Sequence, residues 1–227
     1  MLDLSSLNEQ QKQAVLNTYH MNTSLVAGAG SGKTTVIKYR TAYMIKERQV
    51  DPKSIMIVTF TNKAAKEIKE RIGQETNFAD DMWLGTFHSI CVKILRQFGH
   101  SLKLNRFTIM DDKDAQSVLT ECAKHIDPYI EPDQIKEIRG KISHLKSELQ
   151  APQTLLNHKN RTSSDILLAN IYHAYQTHNI NAKTLDFDDL ILYTVILLTK
   201  DEHVRQWFHE HVPYIVVNSS AVLHGNV

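Results

Sequence analysis

Cysteine is nearly absent from this chain. Cys91 and Cys122 are the only two in 227 residues, too few to hold a structural zinc by themselves, and they read as reduced, partly buried thiols with no disulfide between them. No apolar run reaches the ~20 residues that a membrane-spanning helix needs. The start, Met1-Leu2-Asp3-Leu4-Ser5, lacks the basic and apolar stretches of a secretory signal, so the expectation is a cytoplasmic protein with no membrane partner. Charge of one sign is also lacking: 26 Lys and Arg stand against 25 Asp and Glu, a net +1. That balance neither demands nor excludes nucleic acid, and any basic surface must be local. Repeats and low-complexity tracts are missing too. What remains, 42% hydrophobic and 22% charged, is the composition of an ordinary globular protein of one or two domains, long enough to bury a core.

Glycine is scarce as well, with eight residues, yet Gly28, Gly30 and Gly32 fall together in Ala27-Gly28-Ala29-Gly30-Ser31-Gly32-Lys33-Thr34. Ser24-Leu25-Val26 before this stretch reads as a short buried strand. Thr35 to Ile45 after it has the apolar spacing of a helix. Strand, glycine turn and helix are the setting of a phosphate-binding loop: glycines let backbone N–H groups curl round phosphate oxygens, and the helix N-terminus adds partial positive charge. In such a loop Lys33 reaches the β and γ phosphates and the Thr34 hydroxyl faces Mg²⁺. Ala27 occupies the first position of the G-x-x-x-x-G-K-[ST] pattern, the relaxed form of the motif. The competing reading is a glycine-rich turn carrying a surface lysine.

Further along, Leu7 to Val15 reads as a short helix leading to the first strand. Ser54 to Phe60 is an apolar, β-branched run of the kind found in buried parallel strands. Thr61 and Asn62 form an N-cap pair for a helix from Lys63 to Ile72, with Glu67 and Arg71 at i,i+4. Met82 to Phe87 is another strand, leading into His88 and an amphipathic Ser89 to Phe98. Phe107 to Met110 is a fourth short strand. From Lys113 to Lys183 the alternation gives way to helix after helix, punctuated by Asp127-Pro128, Ala151-Pro152 and the polar segment 157–164. Asp186 to Leu198 and Glu202 to His211 are helical again, and Tyr214 to Val217 returns as a buried strand. The fold class is α/β: a parallel sheet built round the phosphate loop and interrupted by an all-α subdomain.

The order of Leu7-Asn8-x-x-Gln11, the glycine loop, Thr59-Phe60-Thr61-Asn62-Lys63-Ala64-Ala65, Gly85-Thr86-Phe87-His88-Ser89 and Leu185-Asp186-Phe187-Asp188-Asp189-Leu190 resembles superfamily 1 DNA helicases of the UvrD/Rep/PcrA type, over about Leu7 to Val217. The resemblance implies a RecA-like ATPase lobe (residues 1–112 and 185–217), a helical 1B-like insertion (113–184) and an atypical tail (218–227). It covers the front portion of such an enzyme, so the C-terminal helicase lobe would be a missing partner. It further implies ATP and Mg²⁺ as cofactors, single-stranded DNA as partner, translocation in the 3′ to 5′ direction, and a place in DNA repair or replication.

Carried over residue by residue, Gln11 matches the glutamine that reads the adenine edge through its amide. Ala27 to Thr34, with Thr35 following, match the nucleotide loop, and Thr35 stands where close relatives often carry arginine. Phe60, Thr61 and Asn62 match one DNA-contacting segment, and Thr86, Phe87 and His88 a second. For these the bland readings are a helix cap, a core ring and a packed histidine at a strand end. Asp186, Asp188 and Asp189 are read as helix caps and dipole partners rather than metal ligands. His209-Glu210-His211 does not converge on one ion at i,i+2 of a helix.

The main departure from the family follows Val217. There the family carries an Asp-Glu pair that holds Mg²⁺ and activates water; this chain has Asn218 and Ser219, neither a carboxylate nor a general base. The expectation is a foreign or frameshifted tail on a truncated helicase. Three readings stand: the N-terminal part of an ATP-dependent helicase, a non-catalytic module for nucleotide and single-stranded DNA, and an unrelated P-loop kinase or GTPase. The last is disfavoured because Asn62-Lys63-Ala64-Ala65 lacks the carboxylate of a guanine-reading Asn-Lys-x-Asp.

Overall fold

The computed structural model describes residues 2–17, 30–104, 106–157 and 161–218. The expected strand Ser24 to Val26 and loop residues Ala27, Gly28 and Ala29 lie outside them, as does Ser219. The chain divides into two compact units, one of residues up to Ile90 together with those from His203, the other of Cys91–Glu202.

The first unit begins with α1 (Glu9–Leu16) and α2 (Lys33–Lys46). Then come β1 (Ile55–Thr59), α3 (Asn62–Glu75), β2 (Trp83–Thr86) and the first turn of α4 (Phe87–Phe98). After the second unit the chain returns with α10 (Glu202–His211) and β5 (Tyr214–Asn218). Strands β2, β1 and β5 form a parallel sheet in that order. Every residue of β1 is buried, as befits a parallel strand covered on both faces. Ile55 and Ile57 pack with Met44 and Ile45 of α2, Ile68 and Ile72 of α3, and Met82. On β2, Trp83 meets Trp207 and Phe208 of α10 edge-on at 6.2 and 5.6 Å, the arrangement favoured by aromatic quadrupoles.

Three expectations are corrected in detail. The β2 strand stops at Thr86, because the Thr86 hydroxyl accepts from the Ser89 N–H at 3.2 Å and starts a helix there, so Phe87 and His88 open α4 rather than close a strand. On β5 only alternate residues are covered: Ile215 and Val217 are 61% and 55% exposed. The apolar run signalled a strand, but burial depends on what lies over each face. The Phe107–Met110 segment does form a strand, yet not in the main sheet.

That strand, β3 (Thr108–Ile109), pairs in parallel with β4 (Thr184–Leu185) inside the second unit. Around it run α5 (Asp112–Ile126), α6 (Pro132–Ser147), α7 (Pro152–Leu156), α8 (Ser163–Ala182) and α9 (Phe187–Lys200). Leu119, Ile135, Ile142, Ile171 and Tyr172 are among the side chains of its core.

Inside this unit lies a buried ionic cluster. Asp186 is the N-cap of α9 and shares a reciprocal capping box with Asp189, the structural role expected of these carboxylates. Lys146 of α6, 2% exposed, reaches Asp186 at 2.7 Å and Asp189 at 2.8 Å. The Tyr175 hydroxyl donates to Asp186 at 2.8 Å. Burial pushes the Asp186 carboxyl up, but the Lys146 ammonium, with hydrogen bonds from Lys146, the Asp189 N–H and Tyr175, outweighs it and holds Asp186 below the usual carboxylate range. For Asp189 burial dominates and the neighbouring Asp186 adds to it, so its carboxyl is raised despite the ammonium. Burial next to these carboxylates also pushes the Tyr193 hydroxyl up to about 12.

Removing Lys146 leaves two carboxylates buried without a counter-charge. The Lys146→Met variant is therefore expected to lose about 3–5 kcal/mol at pH 8. Both orphaned carboxyls then have folded-state pKa values above their unfolded ones, so the variant recovers stability as pH falls and loses it as pH rises. Denaturant midpoints of wild type and variant at pH 8 and pH 5 check this; an equal deficit at both pH values contradicts it.

Candidate functional site

Asn8 precedes α1, and its side chain accepts from the Gln11 N–H at 2.9 Å while the Gln11 side chain accepts from the Asn8 N–H at 3.1 Å. This closes a capping box. The other end of the Gln11 amide donates to the Ser31 carbonyl at 3.2 Å. Gln11 therefore joins α1 to the glycine loop directly.

The loop itself is built for a backbone that L side chains rarely adopt. Gly30 and Gly32 have φ of +75° and +85°, left-handed values that only glycine takes at little cost. A Cβ on Gly32 would lie 2.7 Å from the Gln11 Nε2, while one on Gly30 would meet nothing within 4 Å among the described residues. Gly32 thus admits the glutamine. Gly32 is also the N-cap of α2, and a glycine brings no side chain of its own to cap it. Lys33, Thr34 and Thr35 occupy its first turn, so their N–H groups open a 14-residue helix at the positive end of its dipole.

Two sets of contacts dock α1 on α2. Leu7 and Val15 pack with Val36. Arg40 of α2 donates to the carbonyls of Ala14 at 2.7 Å and Asn17 at 3.2 Å, satisfying C-terminal groups of α1 with a cation at the negative end of its dipole. Burial lowers the Arg40 guanidinium from its ordinary value, though a guanidinium stays charged.

At the sheet, Thr59 of β1 stands in register with Thr86 of β2 and Asn218 of β5. The carboxyl ends of the three strands, where parallel sheets place their ligands, therefore lie side by side. Phe60 follows β1 and is 54% exposed, and its ring sits 5.1 Å from that of Phe87 at 53°. Thr61 caps α3 by accepting from the Ala64 N–H at 3.1 Å, with Asn62 exposed in the first helical position. Phe60, Thr61, Asn62 and Phe87 thus share one edge, with His88 adjacent in α4. Asn218, 8% exposed, ends β5 at the same edge with an uncharged amide.

These residues fit a nucleoside triphosphate: a helix N-terminus with a glycine N-cap, two left-handed glycines, and the lysine and hydroxyl of Lys33 and Thr34. They do not provide a carboxylate for Mg²⁺ at the end of β5. Sequence reasoning named Asn8 only as part of a motif, with no role of its own, and passed over Arg40. Asn8 had a signal, since Asn followed by Gln three positions on is a capping-box pattern; Arg40 had none, because its targets are backbone carbonyls.

A family model described as the UvrD/REP helicase N-terminal domain matches residues 7–219. The chain is 36% identical over 217 residues to the ATP-dependent DNA helicase PcrA of Staphylococcus aureus strain Mu50. It is 36% identical over 220 residues to PcrA of Staphylococcus epidermidis strain RP62A. Each match covers 95% of this chain and 30% of the relative, so the chain spans about a third of the length of these relatives. Among the described residues no helix is long and apolar enough to cross a membrane.

The Arg40→Met variant removes both contacts to α1 and is expected to cost about 1.5–3 kcal/mol, the range for hydrogen bonds to a charged group. Amide hydrogen exchange at residues 12–16 should accelerate while that of β1 changes only with global stability. Unchanged exchange in α1 contradicts the clamp.

Proposed function

Because the chain belongs to the UvrD/REP helicase N-terminal domain family, we propose that it is the part of an ATP-dependent 3′ to 5′ DNA helicase that binds ATP and single-stranded DNA, and that by itself it does not hydrolyse ATP. The observation that carries the reading is the α2 N-terminus, which opens on a glycine N-cap, Gly32, with Gly30 and Gly32 both left-handed. Backbone N–H groups there can take phosphate oxygens, Lys33 can meet the β and γ phosphates, and Gln11 can meet the base. Bound Mg²⁺ would offset phosphate charge, with the Thr34 hydroxyl as its contact from this chain.

The edge formed by Phe60, Thr61, Asn62, Thr86, Phe87 and His88 is the proposed DNA contact. The exposed Phe60 ring against Phe87 offers a surface for a base to stack on, and the α3 N-terminus beside it suits a backbone phosphate. Asn218 argues for the non-catalytic form of this reading. An uncharged amide at the end of β5 neither holds Mg²⁺ as a carboxylate would nor takes a proton from water.

Three outcomes are expected of the 227-residue chain. A fluorescent ATP analogue binds and Lys33→Ala abolishes the binding. Phosphate release in the presence of single-stranded DNA stays at the no-protein level. Binding of a labelled oligothymidine, followed by anisotropy, weakens on raising salt and by about 1–3 kcal/mol in Phe60→Ala. Release that depends on Lys33 contradicts the non-catalytic reading, and salt-independent DNA binding contradicts a phosphate-led contact.

A further inference from the structure

The Gln11 amide is held at both ends by the protein, and the two contacts have opposite polarity. Oε1 accepts from the Asn8 N–H at 3.1 Å and Nε2 donates to the Ser31 carbonyl at 3.2 Å. Turning the amide end for end would set Nε2 against an N–H and Oε1 against a carbonyl, exchanging two hydrogen bonds for two repulsive contacts. The network therefore assigns which end is oxygen. Each end keeps one further function, a lone pair on Oε1 and an N–H on Nε2, presented side by side in a fixed order. A base edge with an amino donor beside a ring-nitrogen acceptor, as in a 6-aminopurine, meets that order. A 6-oxopurine offers two acceptors and sets an oxygen against Oε1.

We propose that Asn8 is a positioning residue that sets the base preference of this site. By capping α1 through the Gln11 N–H at 2.9 Å, the Asn8 side chain holds its own backbone N–H against Gln11 Oε1. Together with the Ser31 carbonyl this locks the amide in the orientation that takes a 6-aminopurine. Gly32 is the third part of the lock, since a Cβ there would stand 2.7 Å from Nε2 and drive the amide off Ser31. The inference rests on the reading of Gln11 as the contact to the base of a nucleoside triphosphate and goes beyond it, because that reading does not say what holds the amide in one orientation.

The test is displacement of a ribose-labelled fluorescent ATP from the full chain by ATP, ITP and inorganic triphosphate, for wild type, Asn8→Ala, Asn8→Asp and Gln11→Ala. ITP differs from ATP at the 6-position chemistry, and inorganic triphosphate reports the phosphate cradle and the folded state of each variant. Wild type is expected to favour ATP over ITP by about tenfold, the size of one mismatched hydrogen bond. Asn8→Ala should bring that ratio to about twofold or less by weakening ATP, with inorganic triphosphate unchanged, and Asn8→Asp, which keeps the capping acceptor, should retain the ratio. The proposal is overturned if Asn8→Ala keeps the wild-type ratio while Gln11→Ala loses it, or if Asn8→Ala weakens inorganic triphosphate as much as ATP. Wild type binding ATP and ITP equally overturns the lock and leaves the phosphate site standing. Failure to bind any triphosphate overturns both.

Discussion

The left-handed turn at Gly32 is the constraint on which the junction of α1, the glycine loop and α2 depends. It has to be glycine twice over, once for a φ of +85° and once because the Gln11 amide occupies the space a Cβ would take. The same residue is the N-cap of α2 and brings no side chain of its own. The N-cap thereby contributes backbone groups alone, which is the chemistry a phosphate requires. The docking of α1 by Val15, Val36 and Arg40 serves the same point, because it brings Gln11 to the loop.

Much of this was legible in the sequence, for reasons that differ from element to element. The strand β1 and the helices α2 and α3 announce themselves through local signals: a β-branched apolar run, a 3.6-residue period, a Thr cap. The expected Glu67–Arg71 pair forms, at 2.6 Å. The glycine spacing marked the loop, and the order of motifs marked the family. Less legible was everything set by long-range partners. Phe60 is apolar and next to a buried strand, yet it stands exposed because the chain turns outward at the Thr61 cap. Phe107 to Met110 has strand composition, but composition does not say which strand it joins, and its partner β4 lies far along the chain. Arg40 and Lys146 were invisible, since a cation that caps carbonyls and one buried under carboxylates look alike in a sequence.

The second unit shows how such a partner changes the meaning of a motif. The run Asp186-Phe187-Asp188-Asp189 reads as the acidic start of a helix, and Asp186 and Asp189 do cap α9. They also bind Lys146 in the interior, so the acidic start of one helix is anchored to the last turn of another. A buried ion pair of this kind adds less to net stability than its short distances suggest, because desolvation offsets attraction. What the cluster adds is a fixed meeting point of α9 and α6, where both carboxylates reach one ammonium.

The central claim of the proposed function is that this chain holds ATP and does not hydrolyse it. At the end of β5, Asn218 stands in register with Thr59 and offers an uncharged amide. The most direct test is the chemical state of the nucleotide held by this chain after prolonged incubation, in excess over labelled ATP, with Mg²⁺ and single-stranded DNA. The account predicts that the nucleotide recovered with the protein is intact ATP. Recovery of ADP, or of no bound nucleotide, would contradict it.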